Sequence, residues 1–268
     1  MKYWKLFLAG IVGLFLAISA QASLIMPDFA DVPTGWTTDR YDPNTFANVG
    51  TFQGRNDVLG IGISAADGLT SRPIANQSQF YNTQGRQHAV SGGVGSILAA
   101  DLYIPAAWRD GANGSVRTDM WGVMVDNTAA ISDYVIPGFT NFGVGRYRVW
   151  DDIVWVDLAI AVVYDAWTSF EIHLTSNSYE YWVNGALAYT DFTINGTTGF
   201  SDVIMQGYNF CGDASLTGAV CADYTAHWDN ARVAVVPEPG SFPLIGLALL
   251  ALGSMRLLGR RGTHAKMA

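Results

Sequence analysis

The chain has 268 residues, of which 50% are hydrophobic and 13% aromatic, and its formal net charge is −8. Residues 23–236, between two terminal segments described below, contain nine arginines, no lysine, twenty aspartates and two glutamates, a net charge of −13. This length suits one sizeable domain. The charge argues against nucleic acid as a partner, because phosphates require basic patches. The missing lysines exclude lysine-based chemistry.

The many carboxylates make calcium a candidate ligand. The sequence nevertheless has neither an EF-hand loop nor a nonapeptide calcium repeat. Carboxylates that are scattered over the surface and solvated are the alternative. We therefore predict no metal site and no other cofactor.

The N-terminus has the pattern of a secretory signal peptide. Lys2 and Lys5 precede an apolar run over residues 6–18. Signal peptidase requires small residues at positions minus three and minus one, and these are Ala20 and Ala22. We predict that residues 1–22 are a signal peptide and that the remainder is exported across the inner membrane. A retained N-terminal anchor is the alternative.

The next segment, residues 23–235, has the pattern of an all-β domain. Gly, Asn, Asp and Pro divide it into short runs rich in Val, Ile and aromatic residues, with no sustained helical period. We predict one antiparallel β-sandwich, with residues 23–57 and 65–95 mainly in loops. The predicted strands are residues 58–64, 96–104, 120–125, 145–150, 153–158, 169–174, 179–183, 186–192 and 226–235. Asn184-Gly185 predicts a type I′ hairpin turn, because both positions of that turn require positive φ.

Two stretches carry a family resemblance. A Trp-led strand that starts at Trp167 leads to a hairpin containing Tyr181-Trp182-Val183-Asn184-Gly185, and residues 227–233 read His-Trp-Asp-Asn-Ala-Arg-Val. These stretches resemble the hairpin and the closing strand of concanavalin A-like (laminin-G-like) jelly rolls. The resemblance implies a jelly-roll sandwich in which one sheet binds extended glycans. Aromatic rings would stack on sugar faces, while carboxylates and guanidinium groups would bond the hydroxyls.

Alternation along the predicted strands separates two faces. The expected core residues are Leu98, Ala100, Leu102, Ile104, Tyr147, Val149, Val154, Val156, Leu158, Phe170, Ile172 and Leu174. The opposite face collects the glycan-binding candidates Arg146, Arg148, Trp150, Trp155, Asp157 and Trp182, with Glu171, His173 and Glu180 beside them. A solvated sheet face whose tryptophans are covered by a loop is the alternative.

We predict no catalytic residue, and hence no enzyme. The sequence lacks the Glu-X-Asp-X-Glu strand of glycosidases with this fold, a Gly-X-Ser-X-Gly elbow, a His-Glu-X-X-His motif and a phosphate loop. If the hairpin pairs symmetrically about residues 175–178, His173 lies opposite Glu180, and a surface His–Glu pair accounts for these residues. A glycan-cleaving enzyme of the same fold with a different acid/base arrangement is the alternative.

The two cysteines, Cys211 and Cys221, lie close together in the sequence. In an oxidising exterior such a pair favours a disulfide over a metal site, because no histidine or second cysteine pair completes four ligands. Two free thiols are the alternative.

The C-terminus has three successive features. Pro237-Glu238-Pro239 precedes an apolar stretch over residues 241–258, and Arg260 and Arg261 follow. A helix of that length is about 27 Å long, against a hydrocarbon core of about 30 Å, which is barely enough to span a membrane. The arginines orient such a helix with its C-terminal end in the cytoplasm.

This order of features resembles the PEP-CTERM sorting signal of Gram-negative bacteria, which an exosortase recognises. The resemblance implies a sorting signal at residues 236–262, a transient membrane anchor and delivery to the cell surface or beyond it. An anchor that is never processed is the alternative. The expected partners are signal peptidase, the exosortase, the membrane and extracellular polysaccharide. We predict a surface or matrix protein with a lectin-like domain that binds or resides among exopolysaccharide, a purely structural matrix component being a further alternative.

Overall fold

The computed structural model describes residues 24–25 and 29–235. These residues form two antiparallel sheets. The strands are β1 Leu24–Ile25, β2 Thr37–Thr38, β3 Thr45–Asn48, β4 Leu59–Ile63, β5 Thr83–Gly93, β6 Ser96–Ile104, β7 Arg117–Val125, β8 Ile131–Thr140, β9 Arg146–Asp151, β10 Val154–Asp157, β11 Ala166–Leu174, β12 Tyr179–Val183, β13 Ala186–Asp191, β14 Gly199–Tyr208 and β15 Tyr224–Val235. Short 3₁₀ helices are Ala65–Asp67, Leu69–Ser71, Ile74–Asn76, Gln79–Asn82, Ala106–Trp108 and Gly111–Asn113.

The eight-stranded sheet has the order β13-β12-β11-β6-β15-β4-β3, with β1 paired to β15. The seven-stranded sheet has the order β10-β9-β8-β7-β14-β5-β2. Because neighbouring strands in each sheet pair antiparallel and the inner faces share one core, the fold is the antiparallel β-sandwich that the sequence predicts.

The core lies between the two sheets. Leu98 and Phe170 from the eight-stranded sheet meet Met120, Phe139 and Tyr147 from the seven-stranded sheet. The predicted core residues are confirmed except on β10, where Val154 is 56% exposed and Val156 is partly buried. β10 is an edge strand, so its side chains have neighbours on one side only.

A buried tryptophan connects the two sheets. Trp228 on β15 has no exposed surface, and its indole Nε1 donates to the hydroxyl of Thr118 on β7 at 2.9 Å. The Thr118 hydroxyl donates in turn to the carbonyl of Gln206 on β14 at 2.7 Å. The Trp228 indole therefore provides a polar link between the sheets within the core.

The predicted turn at Asn184-Gly185 is confirmed, because the two residues have φ of 50° and 75°. Three long strands lie where the sequence predicted none. β5 falls in a segment that was predicted to be mainly loop, and β8 and β14 fall in segments to which no strand was assigned. β5 is mainly polar and contains glycine, β8 contains Pro137-Gly138, and β14 has a bulge after Phe200. Ladder hydrogen bonds to neighbours on both sides hold these strands, whereas their side chains do not alternate cleanly. The short strands β2 and β3 likewise lie in a segment that was predicted to be loop.

The predicted signal peptide, the Pro-Glu-Pro motif and the predicted transmembrane helix lie outside the described residues. Within residues 24–25 and 29–235, no helix is both long enough and apolar enough to cross a membrane.

Candidate functional site

A groove lies on the outer face of the seven-stranded sheet. Inward-facing residues of β7, β8, β9 and β14 fill the core, so alternate residues of these strands face outward. The groove has a volume of about 520 Å³. Its lining residues are Asp39, Arg40, Gln79, Phe80, Thr83, Arg117, Trp121, Tyr134, Ile136, Trp150, Trp155 and Tyr208.

One row of outward-facing residues crosses the sheet beside the groove. Each member pairs with the next in register: Gln206 of β14, Asp119 of β7, Gly138 of β8, Arg148 of β9 and Asp157 of β10. We call this set the polar row. A Cβ atom on Gly138 would collide with the Asp119 carboxylate, so the glycine provides the space in which that side chain lies.

An aromatic row runs parallel to the polar row, two residues along each strand. Its members are Trp121, Ile136, Trp150 and Trp155. The rings of Trp150 and Trp155 meet edge to face with centroids 5.4 Å apart, and Trp121 meets Tyr134 in the same way at 5.8 Å. The groove is therefore lined by large flat rings that remain partly exposed.

Arginines lie against these rings. The guanidinium carbon of Arg148 is 3.8 Å from the centre of Trp155, and that of Arg117 is 4.6 Å from the same ring. At the other end, Arg40 lies 4.2 Å from the centre of Trp121. Such cation–π contacts hold the guanidinium planes in place while their N–H edges stay available for other partners.

Two of these arginines have carboxylate partners. Arg117 Nε donates to Asp119 Oδ2 at 2.6 Å, and Gln206 Nε2 donates to the same oxygen at 3.3 Å. Arg40 Nη1 lies 2.6 Å from Asp39 Oδ2 without hydrogen-bond geometry, and it donates to Gln206 Oε1 at 3.2 Å. Both carboxylates are thus neutralised by arginine.

Arg148 differs from these two arginines. It is 9% exposed and forms no ion pair within 4.0 Å among the described residues. Its Nε and Nη2 atoms are buried without a hydrogen-bond partner, as is Oδ1 of Asp119. Burial, together with the positive charge of nearby Arg117, lowers the pKa of Arg148 to about 9. Unpaired buried donors of this kind are rare in folded proteins.

A second depression of about 330 Å³ adjoins the groove and shares Tyr134 and Trp150 with it. Its acidic residues are Asp133 and Asp152, and Asn195 Nδ2 donates to both carboxylates, at 3.3 and 3.1 Å. Burial, together with the neighbouring Asp152 carboxylate, raises the pKa of Asp133 to about 7.

This shift predicts a pH-dependent loss of stability. Between about pH 4 and pH 7 the folded state binds a proton at Asp133 that the unfolded chain releases, so the free energy of unfolding falls as the pH rises through this window. Between pH 5 and pH 8, the free energy of unfolding measured by urea denaturation should fall by about 1–2 kcal/mol more in the parent protein than in Asp133→Asn. Asp31→Asn, at an exposed position, is the control. Parallel pH profiles for the parent and Asp133→Asn would contradict the assignment.

The structure brings together five of the six glycan-binding candidates on this face. Trp150 and Trp155 line the groove, and Arg148 lies against the Trp155 ring. Arg146 Nε and Asp157 Oδ1 form an ion pair at 2.8 Å near the sheet edge. Trp182 does not join them, because β12 belongs to the eight-stranded sheet. The shared face expected for Trp182 and Trp150 is therefore wrong.

The residues predicted beside Trp182 accompany it on the eight-stranded sheet. His173 pairs in register with Glu180, as expected, but its Nε2 contacts Glu171 Oε2 of its own strand at 2.7 Å. Glu180 instead accepts from Trp182 Nε1 at 3.1 Å, and the His173 ring stacks on Trp182. The expected cross-strand His–Glu pair is thus replaced by a hydrogen bond within each strand and by a ring stack between the strands.

Sequence reasoning missed several groove residues: Arg40, Arg117, Asp119, Trp121, Tyr134, Gln206 and Tyr208. The predicted strand at residues 120–125 began three residues after the start of β7. The alternation of Arg117, Asp119 and Trp121 with Thr118 and Met120 is a period-two signal that would have extended it. The other residues lie on loops or strands without such a signal.

The predicted disulfide between Cys211 and Cys221 is confirmed. Next to Cys211, the carboxylate of Asp213 accepts hydrogen bonds from Tyr208, Asn82 and Gln79 at 2.8, 3.0 and 3.1 Å. The loop closed by the disulfide therefore supports the wall of the groove. Among the described residues, no group of three or more His, Cys, Asp or Glu side chains is arranged to hold a metal ion.

Solved structures with a similar fold were found, whereas no model of a protein family matches the chain and no curated protein matches it. An endo-acting O-glycanase from the human gut microbiota is 10% identical, with 80% of this chain and 99% of that chain covered and a TM-score of 0.50. The domain is a jelly roll. The Bacillus licheniformis β-glucanase is 13% identical over 82% of this chain and 100% of its own, with a TM-score of 0.47. At these identities the likeness concerns the fold alone.

Proposed function

We propose that this protein binds a glycan in the groove of the seven-stranded sheet. The observation that carries the proposal is the aromatic row, in which Trp121, Trp150 and Trp155 line an open groove beside guanidinium and carboxylate groups. Flat rings stack on the apolar faces of sugars, and charged side chains bond sugar hydroxyls. A groove lined by several rings in succession suits an extended chain of sugars.

Binding without cleavage is the activity that the site supports. Asp39 of the groove and Asp119 of the adjoining polar row are each paired with an arginine, so neither stands free as an acid or a nucleophile. The two glutamates of the domain, Glu171 and Glu180, lie on the other sheet.

The cellular setting that we propose follows from the sequence. The protein is exported, held by its C-terminal helix, sorted by an exosortase through Pro237-Glu238-Pro239, and delivered to the cell surface or its surroundings. The disulfide supports an oxidising location, because such bonds persist outside the reducing cytoplasm. The groove then meets extracellular polysaccharide.

The test is glycan binding by the full chain and two tryptophan variants. Trp150→Ala removes a ring from the groove and should weaken binding of any glycan identified on an array at least about tenfold, which corresponds to about 1.4 kcal/mol. Trp182→Ala is the matched control, because it removes a tryptophan from the opposite face of the sandwich, and its affinity should equal that of the parent. Isothermal titration calorimetry measures both.

Three outcomes would contradict the proposal. Equal loss of binding in the two variants would place the site elsewhere. Release of reducing ends from the bound glycan would make the protein an enzyme. The absence of binding to every glycan on the array would favour a purely structural matrix component.

A further inference from the structure

The groove and the adjoining part of the polar row carry more positive charge than Asp39 and Asp119 neutralise. Arg40, Arg117 and Arg148 are three of the nine arginines in residues 23–236, and they face Asp39 and Asp119. Since Asp39 pairs with Arg40 and Asp119 with Arg117, the excess charge resides on Arg148. A local positive site is unusual in a domain whose net charge is −13.

The unpaired atoms of Arg148 lie on one edge of its guanidinium group. Nε and Nη2 are the two nitrogens whose N–H bonds point in the same direction and together grip two oxygens of one anion. Both lack a partner in the structure. The Trp155 ring stacks on the face of the group, whereas the Nε–Nη2 edge is buried and has no acceptor. The geometry is that of an arginine prepared for a carboxylate or a sulfate.

Trp155 lines the groove and stacks on Arg148, which is not itself one of the lining residues. The ring lies over Arg148 and belongs to β10, a four-residue edge strand whose Val154 is exposed. An edge strand with few packing contacts can shift without disturbing the core. Displacement of the Trp155 ring would therefore expose Arg148 to an anion in the groove.

We infer that the groove selects acidic glycans and that the Nε–Nη2 edge of Arg148 binds the carboxylate or sulfate group of one sugar unit. This inference rests on the proposed glycan-binding function and specifies its ligand class. The sugar ring stacks on Trp150 or Trp155, while its acidic substituent accepts hydrogen bonds from Nε and Nη2 of Arg148. Because the rest of the domain repels polyanions, binding of an acidic glycan requires such a specific site.

The experiment compares three kinds of oligosaccharide by titration against the full chain at constant salt. Oligogalacturonate offers carboxylates, carrageenan oligosaccharides offer sulfates, and cello-oligosaccharides offer neither. At least one acidic ligand should bind at least about tenfold more tightly than the neutral ligand. The comparison between the two acidic ligands identifies which anion the edge accepts.

Variants assign the preference to Arg148. Arg148→Met retains the length of the side chain and should abolish the preference for the acidic ligand. Arg148→Lys retains a charge without the two-nitrogen edge, and it should lose most of the preference as well. Arg109→Met is the matched control, because the Arg109 guanidinium stacks on Tyr164 outside the groove. Thermal unfolding of each variant confirms that it is folded.

The outcomes separate this inference from the proposed function. Glycan binding without preference for acidic ligands, or a preference that survives in both Arg148 variants, overturns the inference and leaves glycan binding intact. Absence of binding to all three ligands and to a wider array overturns the proposed function.

Discussion

Replacement of Trp228 by alanine should reduce the free energy of unfolding by about 3–5 kcal/mol. The side chain is fully buried at the centre of the core and is the largest of the side chains with no exposed surface. Its removal leaves a cavity between the sheets. It also removes the donor to Thr118 Oγ1, so that one polar link between β15 and β7 is lost.

A second variant separates these two causes. Trp228→Phe fills most of the space but lacks the N–H group, so the expected loss is smaller, about 1–2 kcal/mol for the hydrogen bond with some further loss of packing. Trp182→Ala, on the outer face of the same sheet, is the control and should cost clearly less than Trp228→Ala. Urea denaturation followed by fluorescence measures all three. An equal effect of Trp228→Ala and Trp182→Ala would refute the central role assigned to Trp228.

Removal of the disulfide should reduce the free energy of unfolding by about 3 kcal/mol. The bond joins residues ten apart in sequence, and the entropy lost by closing such a short loop in the unfolded chain gives this magnitude. Cys211 is itself buried, and its carbonyl accepts a hydrogen bond from the backbone of Leu69 at 2.8 Å. The serine double variant therefore also loses some packing.

The measurement is denaturation of the parent and of the Cys211→Ser/Cys221→Ser variant, each with and without reductant. Reductant should lower the free energy of unfolding of the parent, whereas it should leave that of the variant unchanged. The loop also carries Asp213, which bonds Tyr208 and Gln79 at the groove, so glycan affinity should fall along with stability. A variant as stable as the oxidised parent would show that the bond does not constrain this loop.

The sequence predicted the fold class well because alternation is a local property. The strands at β6, β9 and β11 alternate clearly, and their predicted core residues are buried. Alternation also placed Arg148, Trp150 and Trp155 on one outer face. Alternation does not reveal which sheet a strand joins, because the outward-facing residues of both sheets follow the same pattern in the sequence. Alternation therefore grouped Trp182 with Trp150 and Trp155, although these residues belong to the other sheet.

The groove itself was harder to predict for a related reason. Tyr134, Gln206 and Tyr208 lie on β8 and β14, whose glycine, proline and polar residues interrupt the pattern that marks a strand. The same residues that furnish a binding surface weaken the local signal for the strand that carries them. Arg40 follows a two-residue strand and reaches the groove through tertiary contacts that no local pattern contains.

The direction of the polar row predicts how glycan affinity should depend on the length of the ligand. The row runs from β14 to β10 at right angles to the strands, and neighbouring strands in a sheet are about 4.8 Å apart. A linear polymer lying along it would meet a new strand at each such interval, and four intervals correspond to about 19 Å. Affinity should therefore grow with the number of sugar units until this span is filled and then level off, which distinguishes recognition of a chain interior from capture of a chain end.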